Sequence, residues 1–144
     1  MILVINAGSS SLKFTVFTLQ AGVQTMLAKG NIERIGLFEP NFIYQRGSNN
    51  KVEEGVPVKD HADALKAVCA KLVDPKVGVL RSLEEIEAIG HRVVHGGEQF
   101  TAPVRVCAEV KANHRKCADL APLHNPPNLL AIEACEKVFP GVPN

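Results

Sequence analysis

The chain has 144 residues, of which 46% are hydrophobic and 22% are charged, and its formal net charge is +1. A chain of this length can bury the core of one domain. The chain is nearly neutral and lacks the excess of basic residues that is typical of nucleic-acid-binding proteins. No apolar stretch approaches the roughly 18 residues of a membrane-spanning helix. The composition therefore argues against nucleic-acid and membrane partners.

The N-terminus and the cysteines indicate a cytoplasmic protein. Met1 leads directly into an apolar run, without the basic segment that begins a secretory signal peptide. We expect buried free thiols in a reducing compartment, with a disulfide as the less favoured alternative, because the cysteines have no C-x-x-C spacing and lie among apolar residues. The four cysteines are Cys69, Cys107, Cys117 and Cys135.

The first part of the chain is typical of β-structure. The continuous apolar run at residues 2–5 predicts a strand buried on both faces. The run at 12–19 is rich in Phe, Thr and Val and predicts a second strand paired with the first. Weaker patterns predict further strands at 26–35, 42–45 and 52–58, separated by Gly- and Pro-containing turns.

Helical periodicity begins at Asp60, a suitable N-cap, and continues across residues 60–73, where apolar residues recur at positions i, i+3, i+4 and i+7. Capping-box spacing then predicts a short helical turn at 82–85. The apolar-centred run at 89–95 predicts another strand, which leads into two glycines.

Two more helices are predicted towards the C-terminus. The first spans residues 109–120, and the basic residues within 111–116 are expected to face solvent. The second spans 126–138, with Pro126 near its first turn, where proline is tolerated. Strands followed by alternating strands and helices predict a single α/β domain, residues 1–144, in which helices flank a mixed sheet.

A small polar run, Asn-Ala-Gly-Ser-Ser-Ser at residues 6–11, separates the first two predicted strands. Small residues allow backbone N–H groups to approach an oxyanion, and serine hydroxyls add further donors. Lys13 adds positive charge just beyond the run. The pattern lacks the Gly-Lys-Ser/Thr ending of a Walker A loop. A phosphate loop and a plain polar hairpin are both compatible with this spacing.

The second polar stretch is Gly-His-Arg-Val-Val-His-Gly-Gly, at residues 90–97. On a strand, Arg92 and Val94 share one face. An arginine buried at the end of a central strand needs an anionic partner, so Arg92 is a candidate ligand for carboxylate or phosphate, and a structural ion pair is the alternative. A zinc site made by His91 and His95 is disfavoured, because this spacing on a strand separates them by about 13 Å.

The third stretch is Ala-Pro-Leu-His-Asn-Pro-Pro-Asn, at residues 121–128, directly before the last predicted helix. Its prolines restrict the backbone, so His124 and Asn125 are expected to be held at the helix N-terminus, where anions are favoured. A structural role for a lone histidine is the alternative.

Together, the three stretches resemble the acetate kinase family. The matching motifs are N-A-G-S-S-S-L-K-F at 6–14, G-H-R-V-V-H-G-G-E at 90–98 and A-P-L-H-N-P at 121–126. The resemblance implies a ribonuclease H-like α/β fold, a mixed sheet with flanking helices, in the sugar kinase, heat-shock-protein-70 and actin superfamily. It implies reversible phosphoryl transfer from ATP to acetate, giving ADP and acetyl phosphate, with Mg²⁺ as cofactor and a homodimeric full-length enzyme.

The resemblance also implies roles for individual residues. Four residues of the first motif would organise the transferring phosphoryl group and its metal: Asn6, Ser9, Ser11 and Lys13. Asn6 is the one assigned to the metal. Arg92 would bind the acetate carboxylate and stabilise the transition state, and His124 would donate a hydrogen bond to the phosphoryl oxygens. Val94 and Leu123 would line the pocket around the acetate methyl group.

One departure from the family pattern limits these expectations. The family's magnesium-associated aspartate would follow Asn144, and the adenosine pocket would come later still, so we expect the last strand and the partner domain to be missing. We therefore expect negligible kinase activity from the isolated chain. The alternatives are a propionate kinase fragment, since one methylene changes binding by only about 1–3 kcal/mol, and a stand-alone module that binds phosphate or acyl phosphate.

Overall fold

The computed structural model describes residues 1–49, 51–93, 102–117 and 125–144. These ranges contain six strands and three α-helices. In chain order they are β1 (Ile2–Ala7), β2 (Ser11–Gln20), β3 (Val23–Glu33), β4 (Asn41–Arg46), β5 (Val52–Gly55), α1 (His61–Leu72), β6 (Ala88–His91), α2 (Ala108–Lys116) and α3 (Asn125–Val138). A short 3₁₀ turn, Leu83–Glu85, precedes β6. Each predicted strand and helix overlaps an observed one.

The strands form one mixed sheet in the order β5-β4-β3-β2-β1-β6. The first five strands are an antiparallel meander, and β6 pairs parallel to β1. Ala21 and Gly22 close the β2–β3 hairpin with φ values of 50° and 78°, as a turn of type I′ requires. The parallel pair needs a long crossover, and α1 lies within it.

The helices cover one face of this sheet. Buried residues of β1 and β2 join the core with those of α1 and α3. On β1, burial alternates, so Leu3, Ile5 and Ala7 are buried whereas Ile2 and Val4 remain partly exposed. The prediction that β1 is buried on both faces is therefore wrong for the described part of the chain, because the helices described there cover only one face.

Helix α1 begins where the sequence predicts. The Asp63 amide donates a hydrogen bond to Asp60 Oδ1 (2.8 Å), so Asp60 caps the helix N-terminus. The helix turns one apolar stripe towards the core, and this stripe begins with a polar residue, His61. Its apolar members are Ala64, Leu65, Val68, Cys69 and Leu72.

Helix α2 packs against α3 instead of standing free in solvent. Lys111 Nζ lies 2.7 Å from Glu136 Oε2, and Arg115 pairs with Glu133. His114, between these two pairs on α2, is buried. The expectation that residues 111–116 face solvent is therefore wrong for His114, because its side of the helix turns inward towards α3.

Two strand boundaries differ from the prediction. β5 ends at Gly55, whereas the sequence predicts a strand to residue 58. Pro57 has no N–H to extend the ladder, which explains the early end. The strand predicted at 89–95 is observed as β6, which ends at His91, before residues 92 and 93, and stands at one edge of the described sheet. The central position predicted for it is thus not observed in this part of the chain.

The four cysteines are free, but their environments differ. Cys69 and Cys135 are buried, and burial raises the pKa of each thiol to about 12. Cys107 is exposed and Cys117 is half-buried. The expectation of burial is wrong for Cys107, because this residue is the N-cap of α2 and lies outside the packed faces of the helices.

We expect Cys107 to be the first cysteine to react with N-ethylmaleimide at pH 8, because it is exposed. Cys69 and Cys135 should remain unmodified in the folded chain, since thiols with a pKa of about 12 hold almost no thiolate at this pH. Peptide mass spectrometry of the labelled chain measures this order, with chain unfolded in urea as the control. Rapid native labelling of Cys69 would contradict it.

Candidate functional site

The predicted phosphate loop is a tight turn. β1 continues through Ala7 and β2 starts at Ser11, so only residues 8–10, here named the β1–β2 turn, lie outside the strands. The Gly8 amide donates to the Ser11 carbonyl oxygen (2.8 Å) and closes the turn. Ser9, at its tip, is exposed. Asn6 and Ser11 therefore belong to strand ends, and the loop is shorter than the six-residue polar run suggests.

Three donors from outside the hairpin bind carbonyl oxygens at this turn. Asn128 Nδ2 donates to the carbonyl oxygen of Ala7 (2.7 Å). His61 Nε2 lies 2.7 Å from the Gly8 carbonyl oxygen, and because a carbonyl only accepts, this nitrogen carries the proton. The Ile35 amide donates to the carbonyl oxygen of Ser10 (3.0 Å).

The N–H groups of the turn are arranged differently from its carbonyls. Among the described residues, the amides of Ser9 and Ser10 donate no hydrogen bond. Consecutive N–H groups at a turn form an anion-binding concavity when their carbonyls point elsewhere. Among the described residues, the β1–β2 turn has this polarity, and it is therefore compatible with anion binding.

Asn6 and Lys13 lie opposite each other on β1 and β2, and Asn31 of β3 is the next cross-strand partner of Lys13. Cross-strand partners share one face of a sheet. Here it is the face opposite to the helices, since Lys13 is exposed and its neighbours Leu12 and Phe14 are buried. Lys13 and Asn31 line a groove of about 390 Å³ on this open face.

Arg92 lies at the same end of the sheet as the β1–β2 turn. Its backbone N–H donates to the carbonyl oxygen of Ile5 on β1 (3.0 Å). Arg92 therefore follows the strand next to the one that carries Asn6. The Arg92 side chain is exposed, and it forms no ion pair with any described residue. The expectation of a buried arginine is therefore wrong, and the role of Arg92 as a ligand for carboxylate or phosphate stays a prediction.

His91 is turned away from Arg92 and towards the helices. It lines a cavity of about 460 Å³ together with His114 and Ile132. His91 Nε2 lies 2.8 Å from Asn144 Oδ1. Burial lowers the pKa of His91, and the hydrogen bond to Asn144 offsets this only in part. Its position indicates a structural residue that favours the neutral form.

Helix α3 begins beside the β1–β2 turn. Asn128, in its first turn, contacts Ala7, and buried Asn125 donates to the Cys117 carbonyl oxygen (2.9 Å). The helix N-terminus favours anions here. Three residues to which the sequence assigns roles lie outside the described residues: Val94, Leu123 and His124.

Sequence reasoning missed His61 and Asn128. His61 could have been noticed, since it follows the N-cap Asp60 and is a polar residue at the start of the apolar stripe, four residues before Leu65. Asn128 stands within the third polar stretch but received no role. Neither residue has a local pattern that reveals its partner, because the contacts join residues 53 and 121 positions apart.

Within the described ranges, no three His, Cys, Asp or Glu side chains lie close enough together to hold a metal ion. Oxygen donors nevertheless exist near the turn, in the Asn6 amide and the serine hydroxyls. Mg²⁺ accepts such donors and completes its shell with waters and substrate phosphates. The residues present therefore fit Mg²⁺ in part, as a site that substrate phosphates must complete.

Comparisons with known proteins show similarity in sequence and fold to acetate kinases and a propionate kinase. The model of the Acetokinase family matches residues 1–144, and the chain belongs to this family. Acetate kinase 2 of Clostridium perfringens is 47% identical over 142 residues, which is 99% of this chain and 35% of that protein.

Two crystal structures of such kinases are similar in fold. Porphyromonas gingivalis acetate kinase superposes with a TM-score of 0.93 at 39% identity, and a propionate kinase from Francisella tularensis with 0.85 at 33%. In both cases the match covers 99% of this chain and 35% of the other. The chain thus spans about a third of the length of its relatives and corresponds to their N-terminal portion.

The expected family and the α/β fold with a mixed sheet and flanking helices are both confirmed. In the part of the chain that the structure describes, no helix has the length and hydropathy needed to cross a lipid bilayer.

We expect the chain to lose stability in mild acid because of His91 and His114. Burial lowers the pKa of both below the usual 6.5, so the unfolded chain binds more protons than the folded chain just below that pH. The free energy of unfolding should therefore be constant above about pH 7.5 and fall as the pH decreases through 6.5.

Urea unfolding between pH 8 and pH 5 measures this dependence. The variant His114→Gln removes one of the two titrating groups, so its free energy of unfolding should fall less steeply between pH 6.5 and pH 5.5. A wild-type chain that becomes more stable as the pH falls through this interval would contradict the lowered pKa values of His91 and His114.

Proposed function

We propose that this chain supplies the phosphoryl-binding turn and the carboxylate-binding arginine of an acetate kinase. The longer protein would transfer a phosphoryl group reversibly between ATP and acetate, giving ADP and acetyl phosphate. One observation carries the proposal. The β1–β2 turn has bonded carbonyls and two amides that donate to no described residue, and it lies at the same sheet end as Arg92, an arginine exposed to solvent.

The residues of the β1–β2 turn would bind the phosphoryl group. The Ser9 and Ser10 amides and the hydroxyls of Ser9 and Ser11 offer neutral donors, and Lys13 adds charge on the neighbouring open face. Phosphoryl transfer has little covalent chemistry for a protein to perform, so positioning and charge stabilisation are the main requirements. Preformed donors meet this requirement without reorganising during the reaction.

Arg92 would bind the acetate carboxylate. Its guanidinium can donate two parallel hydrogen bonds to a carboxylate or to a phosphoryl oxygen pair. Because it follows β6, which pairs parallel to β1, the nucleophilic oxygen would be held beside the strand that ends in the turn. His124 would donate to the phosphoryl group, and Val94 and Leu123 would enclose the methyl group, as the family resemblance suggests.

Asn6 is the residue of this set that would face Mg²⁺, and the bound ion would neutralise charge on the phosphates. The family resemblance further supports a homodimeric, cytoplasmic full-length protein. We propose residues 1–144 as one N-terminal domain of it.

Propionate kinase is the second candidate function. The similarity in fold to the propionate kinase of Francisella tularensis, with a TM-score of 0.85, supports it. A hydrophobic pocket discriminates one methylene by only about 1–3 kcal/mol, so both acids are to be assayed.

A chimera tests the proposed function. This chain replaces the corresponding N-terminal portion of Clostridium perfringens acetate kinase 2, and acetyl phosphate is measured as its hydroxamate. We expect the chimera to be active, the isolated chain to be inactive, and Arg92→Ala to lower kcat of the chimera at least about 100-fold, as loss of a key charge-stabilising donor does. Propionate in place of acetate gives the relative kcat/KM of the second candidate.

Arg81→Ala is the matched control for Arg92→Ala. The Arg81 side chain is 94% exposed, and Glu85, in the same short segment, is its ion-pair partner among the described residues, so its loss should leave kcat unchanged. A folded chimera in which Arg92→Ala is as active as Arg81→Ala would refute the role of Arg92. Turnover by the isolated chain would refute the need for the remaining two-thirds of the enzyme.

Gly8→Ala provides an independent test of the turn in the isolated chain. An added Cβ would lie 2.8 Å from Ser11 Oγ, so this hydroxyl must rotate away. We expect affinity for inorganic phosphate to fall about tenfold, as for one lost charge-assisted hydrogen bond. The free energy of unfolding should change by only about 1 kcal/mol, because a serine side chain rotates easily.

Phosphate titration followed by ¹⁵N–¹H NMR measures the affinity, and urea unfolding measures the stability. Gly55→Ala is the control, since nothing lies within 4 Å of a Cβ added there. Equal phosphate affinity in the two variants would show that Ser11 Oγ does not contribute.

A further inference from the structure

We infer that His61 and Asn128 are positioning residues that hold the β1–β2 turn with its carbonyls towards the helices and the amides of Ser9 and Ser10 towards the phosphate. The inference rests on the proposed function and adds two residues to its machinery. Neither would touch the substrate. They come from different helices and bind the consecutive carbonyls of Ala7 and Gly8, each at 2.7 Å.

Because the peptide bond is planar, these contacts with the carbonyls also set the directions of the amide N–H groups. In a trans peptide, the C=O and N–H groups point in opposite directions. The Gly8 carbonyl points to His61, so the Ser9 N–H in the same peptide must point away from α1. Ser9 is exposed, so this N–H is directed outward. His61 thereby determines the direction of the Ser9 N–H.

Asn128 acts on the preceding peptide. Its hydrogen bond to the Ala7 carbonyl sets the direction of the Gly8 N–H, which closes the turn on the Ser11 carbonyl (2.8 Å). Asn128 is 2% exposed, so its amide is an enclosed polar group that stabilises the fold only when it is hydrogen-bonded. The contact therefore fixes the closure of the turn from the first turn of α3.

Glycine at position 8 leaves this part of the turn weakly constrained without such anchors. A flip of the Gly8–Ser9 peptide changes ψ of Gly8 and φ of Ser9, and a residue without Cβ accepts the new ψ at little cost. A flipped peptide would direct the Gly8 carbonyl oxygen at the phosphate oxygens and remove the Ser9 donor. A buried histidine with its proton on Nε2 opposes this flip, because the flip would leave that N–H without its acceptor.

Substitutions of His61 separate a positioning role from a packing role. His61→Leu keeps an apolar volume but removes the donor, whereas His61→Gln places an amide N–H close to the position of Nε2. His61→Asn has the same amide on a shorter side chain that does not reach the Gly8 carbonyl. His114→Gln is the matched control, since neither ring nitrogen of this buried histidine has a partner among the described residues.

The measurement is a titration of the isolated chain with inorganic phosphate, followed through the ¹⁵N–¹H signals of Ser9 and Ser10. We expect His61→Leu and His61→Asn to bind phosphate at least about tenfold more weakly, corresponding to one lost hydrogen bond. His61→Gln should stay within about threefold of the wild-type affinity, and His114→Gln should equal it. Asn128→Ala should weaken binding as well and shift the Gly8 amide signal.

Wild-type affinity in both His61→Asn and His61→Leu would overturn the inference, as would weakened binding in His61→Gln equal to that of the other two. If His61→Leu does not fold, His61→Asn against His61→Gln decides the same question. If the wild-type chain binds no phosphate, the proposed function fails in this chain. The ligand-free spectra then decide the positioning role, and unchanged Gly8 and Ser9 signals in His61→Asn would overturn it.

Discussion

The double pairing of β1 is the constraint on which the rest of this structure depends. β1 is antiparallel to β2 on one side and parallel to β6 on the other. The antiparallel partner places a turn at the C-terminal end of β1, and the parallel partner ends at that same edge of the sheet. Arg92 and the β1–β2 turn are therefore neighbours in space although more than 80 residues separate them.

The helices complete this edge from one face. α1 and α3 pack on the same side of the sheet and on each other, and each begins near the β1–β2 turn. Their first turns supply His61 and Asn128 to its carbonyls. The core thus does more than stabilise the fold, since the apolar stripe of α1 and the packing of α3 also determine the orientation of a polar turn.

The opposite face of the sheet remains polar near the same edge. Asn6, Lys13 and Asn31 stand side by side across three strands, beside a groove of about 390 Å³. A phosphoryl group bound to the turn would meet neutral donors from the backbone and positive charge from Lys13. The division between a packed apolar face and an open polar face explains how one small sheet could serve both stability and the proposed anion binding.

The sequence by itself determined the strands, the helices, the Asp60 cap and the family, because periodicity, capping and short motifs are local properties. It also predicted a phosphate-binding role for the β1–β2 turn and an anion-binding role for Arg92, and both roles stay predictions. Only the tertiary structure decided that His61 and Asn128 anchor the turn, that Arg92 is exposed, and that one face of β1 stays partly open. These features depend on which face the helices cover and on contacts between residues 53 or more positions apart. No local pattern encodes such contacts, since they arise only when strand pairing and helix packing bring distant segments together.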